Sequence, residues 1–175
     1  MEQYVIFKSH EQLFALPVKI VKRVVEEDNF ITLPEVPAFV LGAYEFQKHM
    51  VPVIDLRAKL FKQATAVDND TKVILCNWKE QSLGLLVENI VGITALTETN
   101  YEDELAQANL KRGYMSKFLK MDDNVVVSLD LEYLFDNRQE KSLLQTVDDM
   151  DNTADGDKST VKKGENSDGT DTKRN

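Results

Sequence analysis

The residues that could do chemistry are few and far apart. The single cysteine, Cys76, lies between Leu75 and Asn77 in the apolar run KVILCNW, with no histidine nearby in sequence. That setting marks a core thiol rather than a nucleophile. His10 and His49 fall in polar turns, and one cysteine with two distant histidines cannot build a specific tetrahedral zinc site. Asp55 and Asp130 could be imagined as a general acid–base pair. Each has a better local role, because each follows an apolar run and precedes a short helical pattern. There a carboxylate caps backbone N–H groups, those of Arg57 and Ala58 in the case of Asp55. Gly42, Gly84, Gly92 and Gly113 are isolated, so no glycine-rich phosphate loop is present. Glu102–Glu104 reads as a solvated acidic turn and Trp78 as the edge of a core. No catalytic residue, metal or cofactor is expected.

The elements that must position these residues are mostly short strands. Tyr4–Lys8 and Gln12–Leu16 form a hairpin that Pro17 ends, and Val18–Val25 is a bent strand or a helical turn leading into one. Glu26–Asp28 is an acidic turn and Phe30–Leu33 another short strand. Leu33–Leu60 is the organising stretch: Pro34 and Pro37, an apolar run to Leu41, Gly42, a polar tip at Glu45–His49, and a second run ending VPVIDLR. Proline removes a ladder donor, so Pro52 belongs at an edge or at the first residue of its strand. Lys72–Trp78 reads as a central strand buried on both faces. Leu83–Val87 and Ile90–Leu96 follow, each with an internal glycine that suggests a bulge or a barrel corner. Thr97–Asn109 is a long loop or helical turn, and Tyr114–Met121 with Val125–Leu129 a last hairpin. Asp130 then caps a short helix whose apolar stripe is Leu131, Leu134 and Phe135. Many short strands at this spacing point to all-β barrels. The echo of VIDL near Asp55 in VSLDL near Asp130 suggests two half-barrels of similar plan.

Composition narrows the partners. Of 175 residues, 30 are acidic and 21 basic, giving a net charge of −9. That balance argues against nucleic acid and anionic membrane surfaces and leaves proteins as partners. A lone cysteine excludes an intramolecular disulfide. The start MEQYVIFKS lacks the pattern of a signal peptide, and no apolar run nears the roughly 20 residues of a membrane helix. A cytoplasmic protein is expected. The segment 146–175 is polar and charged and cannot bury enough area to offset ordering entropy, so it is expected to be disordered beyond a 1–145 domain.

Several motifs in order resemble the CheW-like domain of bacterial chemotaxis coupling proteins. The family's proline-containing approach, Val-x-Gly strand, Asn-Leu-Arg-Gly tip and Pro-Val-Ile-Asp-Leu-Arg strand correspond to Pro34 and Pro37, Val40–Gly42, Glu45–Lys48 and Pro52–Arg57. Tyr4–Phe7 with Leu13–Pro17 resembles its opening, Gly84–Ile90 its G-L-V-V-D-x-V strand and Val125–Leu134 its close. The resemblance covers residues 1–140. It implies a mainly β fold of two small five-stranded β-barrels around a shared core, with no enzyme activity. It also implies an adaptor joining a CheA-type histidine kinase, through its regulatory domain, to the cytoplasmic tip of chemoreceptors, whose helix lies in the groove between the barrels. Expected partner-binding residues are Val36, Leu41, Gly42, Glu45, Gln47, Lys48, Asp55, Arg57, Val87 and Glu88. Val87 and Ile90 have a competing reading as simple core, because alternation alone does not say which face points inward.

One departure stands out: Gln47-Lys48 replaces the family's Arg-Gly. Glutamine keeps hydrogen bonding but loses a charge. A left-handed backbone would cost Lys48 on the order of 1–2 kcal/mol unless the turn has changed type. The departure suggests a specialised coupling protein, including one that binds only one of the usual partners. The rivals are a ligand- or peptide-binding barrel sensor and an enzyme on a barrel. Phe7, Phe14, Leu75 and Trp78 suggest filled interiors, and no clustered titratable set supports catalysis.

Overall fold

The computed structural model describes residues 2–110 and 112–145, except the side chain of Glu102. The segment 146–175, expected from the sequence to be disordered, lies outside the described residues. The strands are β1 (Gln3–Ser9), β2 (Gln12–Pro17), β3 (Val21–Val25), β4 (Val40–Phe46), β5 (His49–Asp55), β6 (Lys72–Trp78), β7 (Gln81–Val87), β8 (Asn89–Ala95), β9 (Thr97–Glu98), β10 (Met115–Met121) and β11 (Asn124–Leu129). Helix α1 (Leu56–Phe61) follows β5, and α2 (Tyr101–Gln107) resolves the stretch expected as a loop or helical turn. Single 3-10 turns span Val18–Ile20 and Leu131–Tyr133, and residues 137–145 are helical.

The strands form two sheets, ordered β8-β1-β2-β11-β10-β9 and β3-β6-β7-β5-β4. Without the two-residue β9, the sheets share one plan. A hairpin (β1–β2 or β6–β7) runs parallel to the second strand of another hairpin (β10–β11 or β4–β5), and one further strand closes the edge. The edge strands are exchanged: β3 follows β2 in sequence but joins the other sheet, and β8 follows β7 and crosses back. Even the irregularities correspond. Lys22 in β3 and Val91 in β8 are the extra residues of equivalent bulges, as are Leu41 in β4 and Ser116 in β10.

Period-2 alternation sorts the core. Val5, Phe7, Phe14, Leu16, Phe118, Val127 and Leu129 of the first sheet meet Ile54, Ile74, Cys76, Leu83, Leu85 and Val87 of the second in one shared cluster. Their neighbours point the other way, to a smaller core for each sheet. Tyr4, Ile6, Ala15, Leu119 and Val126 pack in the first, and Val51, Val53, Val73, Leu75 and Leu86 in the second. β6 is thus buried on both faces, as its continuous apolar run requires. Phe7, Phe14, Leu75 and Trp78 all lie at or below 4% exposure.

Three local expectations change. Pro52 sits inside β5, which is flanked by β4 and β7 rather than at an edge. It is tolerated because its partner Ala43 exchanges both backbone hydrogen bonds with Ile31 instead, and the β7 ladder begins one residue later at Val53. Phe30–Leu33 is not a strand but a single bridge through Ile31. Gly92 borders a bulge, whereas Gly84 lies in regular pairing. A Cβ at Gly84 would stand 3.0 Å from Val53 and 3.1 Å from Val73, so those two side chains would have to shift by a few tenths of an ångström to admit a larger residue there.

Candidate interaction surfaces

The densest polar constellation is built where β5 hands over to α1. The carboxylate of Asp55 is 2% exposed. It accepts from the Ala58 N–H at 3.3 Å, the Thr65 N–H at 2.8 Å and the Thr65 hydroxyl at 2.6 Å. Thr65 takes the place expected for Arg57, since the chain after α1 folds back over the cap. Asp55 is therefore a buried strut.

The cap sets the first turn of α1, and that turn aims Arg57 at Glu88. Arg57 Nη1 donates to Glu88 Oε1 at 2.7 Å, and both side chains keep about a quarter of their surface (27% and 23%). Arg57 Nη2 donates to Gln63 at 3.0 Å, while its Nε is buried without a partner among the described residues. Glu88 is the one residue between β7 and β8, hence the point where the chain passes between sheets. Its carboxylate also accepts from the His10 N–H at 3.1 Å, and its own N–H donates to Lys8 O at 3.0 Å. The His10 ring stacks on Phe61 of α1 with centroids 4.3 Å apart. Charge-assisted hydrogen bonds of this kind are stronger than neutral ones. The pair joins α1, both sheets and the β1–β2 turn through two partly exposed groups.

The β4–β5 tip is the second surface. Gln47 (φ 50°) and Lys48 (φ 66°) both adopt left-handed backbone, the signature of a two-residue type I′ turn, with no glycine in it. The turn is therefore left-handed at both residues although neither is glycine. Glu45, Gln47, Lys48 and His49 are exposed, and Leu41 is half-buried against the core of its sheet. Val36 is half-buried against the shared core.

Two other expected contact residues are internal. Val87 is fully buried in the shared cluster, where its reading as core places it. Gly42 is buried at φ 150°, and an added Cβ would overlap the Ile31 carbonyl oxygen, so Gly42 holds the approach segment against β4 and offers no surface.

The third surface escaped the sequence reading in part. Edge strand β8 exposes Val91 (47%) and Ile93 (63%). The sequence signal was available, because residues 89–97 carry no charge in a chain that is 29% charged. A long, uncharged, apolar edge invites a partner. Elsewhere, burial pushes the Cys76 thiol up to about 12, and its S–H donates to Leu83 O at 3.3 Å. The Trp78 indole packs edge-on against Phe135 at 5.3 Å. Asp130 accepts from the Glu132 N–H at 3.0 Å, as a cap should. Among the described residues, no group of three or more His, Cys, Asp or Glu could hold a metal ion. No helix among them is long and apolar enough to cross a membrane.

This architecture has known counterparts. The crystal structure of the scaffolding protein TtCheW from Thermoanaerobacter tengcongensis superposes with a TM-score of 0.66 at 21% identity, covering 79% of this chain and 94% of that one. The chemotaxis protein CheW of Klebsiella aerogenes is 22% identical over 147 residues, 83% of this chain and 88% of that protein. CheW of Thermotoga maritima is 26% identical over 131 residues, 74% and 85% respectively. The model of the CheW-like domain family matches residues 3–139, which include both sheets, the Asp55 cap and the Arg57–Glu88 pair. The chain belongs to the CheW-like domain family.

Proposed function

We propose that this protein is a non-enzymatic cytoplasmic adaptor that couples a CheA-type histidine kinase to the cytoplasmic tips of chemoreceptors. The observation that carries the reading is the family match over residues 3–139, supported by relatives described as chemotaxis and scaffolding proteins. The surfaces fit such a role. The exposed apolar pair Val91 and Ile93 suits a receptor helix, which buries an apolar stripe in a groove. The exposed tip at Glu45, Gln47 and Lys48, the flanking Val36 and Leu41, and the partly exposed Arg57–Glu88 pair suit the kinase regulatory domain. Gln47 and Lys48, in place of Arg-Gly, make this a specialised member whose partner preference differs from the usual one.

Calorimetry of the full chain against a purified CheA-type regulatory domain, and separately against a receptor-tip fragment, tests both parts. Micromolar binding to each establishes coupling, and binding to one alone establishes a single-partner paralogue. Binding to neither removes the role. If Gln47→Arg/Lys48→Gly leaves ordinary affinities for both partners unchanged, the specialisation is wrong.

A further inference from the structure

β3 and β8 carry equivalent bulges, but only the bulge of β3 is fixed by its own side chains. There the extra residue is Lys22, between Val21 opposite Cys76 and Arg23 opposite Leu75. Sliding the start of β3 by one residue would erase the bulge and set Lys22 opposite Cys76, on the face that packs into the shared cluster. Burying an unpaired charge is costly, so the lysine itself holds the register. In β8 the extra residue is Val91, between Ile90 opposite Phe7 and Gly92 opposite Ile6. The same slide would set Val91 opposite Phe7 in place of Ile90, one β-branched apolar residue for another.

The residues of β8 therefore oppose the slide only weakly. It would also bring Asn89 opposite Ser9, whose hydroxyl is buried without a partner among the described residues. The far end of the strand is fixed, because Leu96 is buried in the first sheet's own core and Thr97 pairs with Lys120 of β10. The surplus residue could move only into the β7–β8 connection, which is Glu88 alone. Glu88 is held there from three sides. Its Oε1 accepts from Arg57 Nη1 at 2.7 Å and from the His10 N–H at 3.1 Å, and its own N–H donates to Lys8 O at 3.0 Å.

We propose that Arg57 and Glu88 are positioning residues for the apolar edge: by holding the β7–β8 connection taut, the pair keeps the surplus residue inside β8 as a bulge and keeps Val91 exposed beside Ile93. A one-residue slip exchanges the faces of the residues that move, so Ile90 would turn outward and Val91 inward. The Asp55 cap sets the turn of α1 that carries Arg57. The rigid β5–α1 junction of the second sheet thus fixes the register of an edge strand in the first. The consequence for affinity rests on the reading of β8 as the receptor-tip surface, whereas the consequence for register does not.

The test is read first in the free full-length chain, from the cross-strand NOEs opposite Phe7. The unaltered chain shows Ile90 there. Glu88→Ala, and Arg57→Met, which keeps the apolar stem, are each expected to show Val91 opposite Phe7, alone or in exchange with Ile90. Adding Val91→Lys to either variant restores Ile90, because the slide would then bury a charge as it would in β3. A merely structural loss at Glu88 would not be rescued by a lysine. In a second arm, Glu88→Ala weakens receptor-tip affinity about tenfold by calorimetry. If the unaltered chain does not bind the tip, the receptor reading fails and the register alone decides this proposal. Absence of the Phe7–Val91 contact in either folded single variant, or residue 91 staying opposite Phe7 after Val91→Lys, overturns it. So does a register shift that leaves the affinity of a binding chain unchanged.

Discussion

β3 and β8 occupy the same place in two sheets of the same plan, close the same edge and carry the same bulge, yet their chemistry is opposite. At matching positions β3 presents Lys22, Arg23 and Val24 where β8 presents Val91, Gly92 and Ile93. Backbone geometry is therefore shared, and the side chains alone distinguish a charged edge from an apolar one. The same holds at the parallel junctions. Asp55 and Asp130 both cap a turn after the second strand of a hairpin. Asp55 is buried under Thr65 with three bonds, whereas Asp130 remains half-exposed with one. A duplicated plan lets one half carry rigidity while the other stays accessible.

Paired substitutions break this comparison where it should break. The largest effect is expected at the equivalent bulges. Gly42→Ala collides with the Ile31 backbone and should cost about 3 kcal/mol in denaturant unfolding, while Lys117→Ala at the matching site stays within roughly 0.5 kcal/mol. Next come the caps. Asp55→Ala leaves the Thr65 N–H and hydroxyl buried without an acceptor, for a loss of about 2–3 kcal/mol against about 1 kcal/mol for Asp130→Ala. Equal losses would mean that Thr65 adds nothing to the cap.

The edges are compared through binding. Ile93→Lys should weaken receptor-tip affinity by roughly 30-fold, about 2 kcal/mol by calorimetry, while leaving stability unchanged. Val24→Lys, its counterpart on β3, should move that affinity less than twofold, and a comparable loss there would dissolve the distinction between edges. The smallest effect is at the tip. Lys48→Gly should stabilise the β4–β5 hairpin by up to about 1 kcal/mol by relieving a left-handed side chain, seen as a rise in Tm.

Much of the fold was legible because its signals are local. The hairpins at His10-Glu11, Gln47-Lys48 and Lys79-Glu80 were readable from polar dipeptides between apolar runs, although all six residues adopt positive φ without a glycine. The echo of VIDL in VSLDL marked the two sheets correctly. The site was less legible. Gly42, Asp55 and Val87 were expected at a partner-binding surface, and the structure places all three among the buried residues. Ile93 was not among the residues singled out.

The sequence by itself determined which residues alternate, where strands end and which aspartates cap the turns that follow. These depend on backbone chemistry within a few residues. Only the tertiary structure decided that β3 and β8 change sheets, that Val87 faces in and Ile93 out, and that Arg57 meets Glu88 across 31 positions. Period-2 alternation assigns residues to two faces but cannot say which face another sheet will cover. That choice is made by whichever long-range pairing buries the most apolar surface, and such a pairing leaves no mark on neighbouring residues.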